Sequence, residues 1–198
     1  MKTHFTVLLM TIFFAASASA QFFESVIGDA SNDANNPTLI DLNVGSTLVG
    51  GSVTNSNDTV DGDIDFYTFV IEEGELLTGI FLPNYTPNDP GFHGISVGST
   101  GIAPSGPNAG DVTQFLGSQH LGVTTSNLLD GLSNPVAGSG FEGPLGPGTY
   151  SYIIQQTGGV VVDYTLDFQV VPEPAAASIA NFFALGALAL VRRRRRNR

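Results

Sequence analysis

The sequence has no cysteine. That excludes disulfides, thiolate metal ligands and a thiol nucleophile. Cations are almost as scarce. The 198 residues hold seven Lys and Arg: Lys2, the run Arg192, Arg193, Arg194, Arg195 and Arg196, and Arg198. None lies between Thr3 and Val191, so no lysine isopeptide bond can form there. All 18 acidic residues except Glu173 fall between Gln21 and Val171. In that stretch only His93 and His120 can become positive, and only at low pH. Repulsion among its carboxylates must be relieved by water, salt or bound cations. A nucleic-acid partner is not expected, because phosphate contacts need a basic patch. Stability must come from apolar burial and backbone pairing.

What is present is segregated. Lys2, the mostly apolar run Phe5 to Ala16, and Ala18-Ser19-Ala20 form a secretory signal peptide, with Ala18 and Ala20 at the cleavage site and Gln21 as the first mature residue. A spanning anchor fits less well, because the apolar run is short and small residues follow it. At the other end stand Val171-Pro172-Glu173-Pro174, an uncharged run from Ala175 to Val191, and the arginines 192–196. The run is long enough as a helix to reach most of the way across a hydrocarbon core of about 30 Å. The arginines after it would stay on the cytoplasmic side. This three-part order resembles the PEP-CTERM sorting tail of bacterial envelope proteins. The resemblance implies an exosortase-type membrane enzyme that recognises Pro172, Glu173 and Pro174 and cleaves nearby. It also implies release to the cell surface or extracellular matrix.

The expected organisation is a signal peptide (1–20), a flexible lead-in (21–37), an ectodomain (38–171) and the sorting tail (172–198). Short apolar runs broken by Gly45, Gly50 and Gly51 read as strands, as does the aromatic and β-branched run Phe66 to Ile71. Glu72-Glu73-Gly74-Glu75 reads as a turn, with Leu76 to Leu82 as the next strand. The stretch 83–148 is looser, with runs at Ile95–Val97, Val112–Leu116 and Leu121–Thr125, and a brief helix near Asn127–Leu132. The clearest period is at the end, where Val162, Tyr164, Leu166, Phe168 and Val170 alternate with polar residues. Tyr150, Tyr152 and Ile154 alternate before it, and Thr157-Gly158-Gly159 reads as a hairpin turn. The fold class is therefore all-β: an antiparallel β-sandwich, flanked by an N-terminal signal helix and a C-terminal transmembrane helix.

Asp61 to Phe69 with Glu73-Gly74-Glu75-Leu76, and Leu145 to Tyr152 with Tyr164-Thr165-Leu166, resemble the bacterial pre-peptidase C-terminal domain. That family is a small β-sandwich appended to secreted enzymes and surface proteins. The stretch 83–141 departs from it in length and irregularity.

Asn55, Asn57, Asp58, Asp61, Asp63 and Asp65 crowd together before the aromatic strand. Hard oxygen donors in one loop are what Ca²⁺ coordinates. Asp61, Asp63 and Asp65 are the candidate ligands of a weak Ca²⁺ site, beside the plainer reading of a solvated acidic turn. No other cofactor is expected. Glu72 stands twelfth from Asp61, but Phe66 fills the sixth position where an EF-hand needs glycine, so an EF-hand is rejected. Gly94-Ile95-Ser96-Val97-Gly98, with Asp111 and His120 after it, matches a nucleophile elbow in sequence only, because no helix can follow it through Gly101, Pro104 and Pro107. Gly138 to Gly143 matches a dinucleotide fingerprint but leads into prolines rather than a helix. Tyr85, Phe92 and Phe115 are candidate sugar-stacking rings or ordinary core filling. The function expected is thus a non-catalytic structural or binding module of the cell envelope, membrane-anchored before processing, with exopolysaccharide as a candidate partner. A secreted enzyme or accessory domain, and a lectin-like module, are the alternatives.

Overall fold

The computed structural model describes residues 20–54, 62–103, 110–121, 126–135 and 137–174. Asn55, Asn57, Asp58 and Asp61, the signal segment before Ala20, the apolar run from Ala175, and the arginines 192–196 lie outside the described residues. No helix among the described residues is long and apolar enough to cross a membrane.

Two sheets make the fold. The first carries β1 (Ala20–Phe23), β3 (Gly45–Val53), β9 (Val162–Pro172) and β5 (Glu75–Thr86), in that order. The second carries β2 (Thr38–Leu39), β4 (Ile64–Ile71), β8 (Gly148–Gln156), β6 (Gly91–Val97) and β7 (Gly117–Leu121). The interior pairings are antiparallel, while β1 and β2 add to their sheets in parallel. This is a β-sandwich.

Alternation decides which residues enter the core. On β9, Val162, Tyr164, Leu166, Phe168 and Val170 are buried, while Asp163, Thr165, Asp167 and Gln169 face outward. On β4 and β8, Tyr67, Phe69 and Ile71 join Tyr150, Tyr152 and Ile154 on the inner face. Phe168 meets Phe69 edge-on at 5.5 Å and Tyr152 at 5.7 Å between ring centroids, tying one sheet to the other. Burying such a ring contributes roughly 1.5–3 kcal/mol. The second sheet also has a covered outer face, where Phe66 and Ile153 pack with Phe115.

Three expectations need correction. The lead-in at 21–37 is not a frayed segment. Its start forms β1 on β3, a helical turn α1 (Glu24–Ile27) follows, and Ser31 bridges to Phe66. Phe22 and Ala30 bury apolar surface against the core, which offsets the ordering entropy. The turn at Thr157-Gly158-Gly159 does not close a hairpin. It connects β8 in one sheet to β9 in the other, so their inward aromatics face each other instead of lying side by side. The run at Val112–Leu116 is no strand. Asp111 caps a 3-10 turn, Val112–Gln114, by accepting from the Thr113 N–H. The helix expected near Asn127 is α2 (Leu128–Ser133), capped by Asn127 and buried through Leu128, Leu129 and Leu132.

Candidate metal centre

At one end of the core three carboxylates converge. One oxygen each from Glu24, Asp29 and Asp65 lies within 4.8 Å of the others. Asp65 sits on β4 with the inward parity of Tyr67, and it is completely buried. Its Oδ2 accepts from the Tyr164 hydroxyl at 2.5 Å, and that hydroxyl lies 2.5 Å from the Tyr67 hydroxyl. Its Oδ1 makes no hydrogen bond among the described residues. A buried acceptor left in that condition is costly unless something else satisfies it.

Glu24 reaches the cluster from α1. Its Oε1 accepts from the Ala30 N–H at 3.1 Å and its Oε2 from the Ser52 N–H at 2.9 Å. The carboxylate occupies the space that a Cβ on Gly51 would fill, so this glycine is required by close approach. Asp29 closes the set from the exposed side. Asp63 stands beside it, half-buried, with Oδ1 unpartnered among the described residues. Asn32 ties this corner together by accepting from the Ile64 N–H at 2.7 Å.

The electrostatics follow from crowding without a counter-charge. Burial pushes the Asp65 carboxyl up to about 9, and the Glu24 and Asp63 carboxylates push the same way against the Tyr164 hydrogen bond. Burial pushes Asp63 up to about 6, with Asp29 and Glu24 adding to the shift. No lysine or arginine lies between Thr3 and Val191 to relieve this. A proton or a bound cation must do so. The donors are all hard oxygens, arriving from α1, the loop after it and β4, which suits Ca²⁺ better than a softer metal.

Of the expected ligands, Asp65 is in the cluster, Asp63 is adjacent, and Asp61 lies outside the described residues. Glu24 and Asp29 were missed. The only sequence signal for them was acidic residues beside the apolar pair Phe22-Phe23 in a segment that reads as loop. Glu72 ends up beyond the far end of β4 from Asp65.

The other candidates are placed apart. Ser96 is a buried strand residue whose Oγ lies 2.7 Å from the Ser151 Oγ. His120 pairs with Phe92 near the opposite end of β6, and the Asp111 carboxylate bonds to Thr113. Ser96, Asp111 and His120 therefore do not form a relay. Phe115 is only 1% exposed and meets Phe92 edge-on at 5.9 Å, so these two rings fill the covered face rather than present a stacking platform. His93 is buried, with Nδ1 2.9 Å from the Tyr152 hydroxyl.

The fold and this corner define an acidic all-β sandwich with three carboxylates converging at one end of its core. No family model and no curated protein sequence matches the chain. Among solved structures, it is similar to the pre-peptidase C-terminal domain of a collagenase from Bacillus anthracis. That match has 14% identity and a TM-score of 0.30, and it covers 69% of this chain and 98% of the other. The sandwich assignment rests on the strand pairing described above.

Proposed function

We propose that this chain is an exported envelope protein whose β-sandwich is a non-catalytic structural or binding module that holds a Ca²⁺ ion at Glu24, Asp29 and Asp65. The observation that carries the reading is the carboxylate cluster itself. It includes a fully buried aspartate with an oxygen that accepts no hydrogen bond among the described residues, in a stretch of sequence without lysine or arginine. Such a set is stabilised by an ion that takes several oxygens at once. Because Glu24 and Asp29 come from the N-terminal segment and Asp65 from β4, the ion acts as a clip on the fold. Extracellular modules use weak sites of this kind where Ca²⁺ is abundant. The export and sorting part of the reading is supported by the signal-peptide pattern and by Pro172, Glu173 and Pro174 ahead of the apolar run and arginines. An exosortase-type enzyme would release the sandwich to the surface or matrix, where exopolysaccharide is the candidate partner. The buried Ser96 and its separation from His120 support a non-catalytic role.

The test is thermal unfolding of the sandwich with Ca²⁺ and with NaCl at matched ionic strength. Ca²⁺ is expected to raise Tm beyond the salt control. Equal curves would overturn the cation site. Mass spectrometry of the mature protein from its host tests the sorting, and an intact Arg198 on surface-exposed protein would refute it.

A further inference from the structure

The sorting motif is not on a free tail. Strand β9 continues to Pro172, which pairs with Glu75, while Val171 pairs with Leu76. One residue further, the Glu173 N–H donates to the Gly74 carbonyl at 2.7 Å. Gly74 holds φ +81°, which makes the β4–β5 turn that supplies this carbonyl. Only Pro174 then separates the last backbone hydrogen bond among the described residues from Ala175, where the apolar run begins in sequence. One residue spans at most about 3.6 Å.

The grip is also one-sided. On its other flank β9 is paired with β3, but that ladder ends at Gly45 opposite Val170. Among the described residues, the backbone of residues 171–173 is therefore held only by the start of β5 and its turn. This end can peel without unfolding the sandwich, since local opening needs only the interactions of the segment that opens.

We propose that the folded sandwich restrains its own processing: Val171 to Glu173 must peel from Gly74, Glu75 and Leu76 before a protease can take the Pro172-Glu173-Pro174 segment. The inference rests on the reading that this segment is the processing site. A protease that binds its substrate as an extended strand uses the substrate's backbone groups. Here the Glu173 N–H is already engaged, and the neighbouring residues lie on a ladder. The short connection leaves no slack to present the motif while the ladder is closed. Chains whose last strand has not yet zipped onto β5 are cut without this restraint. Folded chains are cut at the rate of local opening.

Two full-length variants test this in the processing host. A Gly-Ser-Gly-Ser spacer inserted between Val171 and Pro172 carries the motif off the ladder. The pair Leu76→Cys and Val171→Cys places cysteines at directly opposed positions, suited to a cross-strand disulfide in a chain with no other cysteine. Pulse–chase with intact-mass readout follows release. The spacer is expected to speed release roughly tenfold, the scale of one to two lost backbone hydrogen bonds. The disulfide is expected to slow it, and reductant to restore it. Equal rates for wild type, spacer and disulfide would overturn the restraint while leaving the processing site standing. Retention of Arg198 in all three, spacer included, would overturn the processing reading itself. Melting curves of the released products check that both variants fold.

Discussion

The carboxylates of Glu24 and Asp65 meet within 4.8 Å, one carried by the helical turn that follows β1 and the other by a strand of the second sheet. Glu24 also accepts from Ser52 on the first sheet. The N-terminal segment is thus tied to the first sheet through this side chain, which also stands against the buried Asp65 of the second, at a corner where like charges oppose the arrangement.

Asp65→Asn separates the two sides of that arrangement. Asparagine keeps the shape and an acceptor for the Tyr164 hydroxyl, and it replaces a carboxyl that burial already holds neutral near pH 7, but it cannot ionise to meet a cation. Without divalent cation, Tm is expected to hold or rise. With Ca²⁺, the stabilisation expected of wild type should fall by more than half. Calcium titrations monitored by Tm check both signs, and an undiminished calcium response would remove Asp65 from the site.

Gly51→Ala tests the route by which Glu24 arrives. A Cβ at this position meets the Glu24 carboxylate. Overpacking here is expected to cost about 1–3 kcal/mol. Because the atom displaced belongs to the proposed Ca²⁺ site, the variant should also need more Ca²⁺ to reach half-maximal stabilisation. Gly50→Ala is the comparison, since its Cβ would press on the Phe23 ring, 2.6 Å away, rather than on a carboxylate. It should destabilise without the same loss of calcium response.

Strand β9 was legible because nine residues alternate strictly and one face is wet. Asp65 was legible because acidic residues crowd before an aromatic strand. Glu24 and Asp29 were not, because a carboxylate cluster assembled from distant segments leaves no spacing in the sequence. The hairpin expected at Thr157-Gly158-Gly159 failed for a related reason. Alternation and a glycine turn are the same whether the next strand pairs with its predecessor or crosses to the opposite sheet. Here the next strand crosses, and Phe168 meets Tyr152 edge-on across the core. The lead-in reads as loop because its apolar residues come only in the short pairs Phe22-Phe23 and Val26-Ile27, with no sustained period.

The two core tyrosines should differ in cost. Tyr164 is the middle of the chain, in contact with both the Tyr67 hydroxyl and Asp65 Oδ2. Tyr164→Phe leaves two buried polar groups without a partner, whereas Tyr67→Phe leaves Tyr164 still bonded to Asp65. Each unsatisfied group costs about 1–3 kcal/mol. Tyr164→Phe is therefore expected to be the more damaging in denaturant unfolding. Equal or reversed costs would contradict the order of the chain.

His93 gives the acid limb a specific origin. It is completely buried on β6, with Nδ1 at the Tyr152 hydroxyl and Nε2 without a hydrogen bond among the described residues. Burial, with His120 adding to it, lowers its pKa from 6.5 to about 3. The folded state therefore keeps His93 neutral where the unfolded chain takes up a proton. Its contribution is fully present above pH 6.5 and is lost as pH falls from 6.5 toward 3, with a slope of at most about 1.4 kcal/mol per pH unit. Asp65 and Asp63, both raised, act in the opposite direction over much of the same range, so the wild-type curve alone does not isolate the histidine. The difference between wild type and His93→Phe does. The variant loses the Tyr152 contact and is expected to be less stable at pH 7.5. The gap should narrow steadily as pH is lowered through 6.5 to 4, because phenylalanine has no proton to gain on unfolding. Urea unfolding of both proteins across that range measures it, and a gap independent of pH would show that His93 does not titrate differently in the two states.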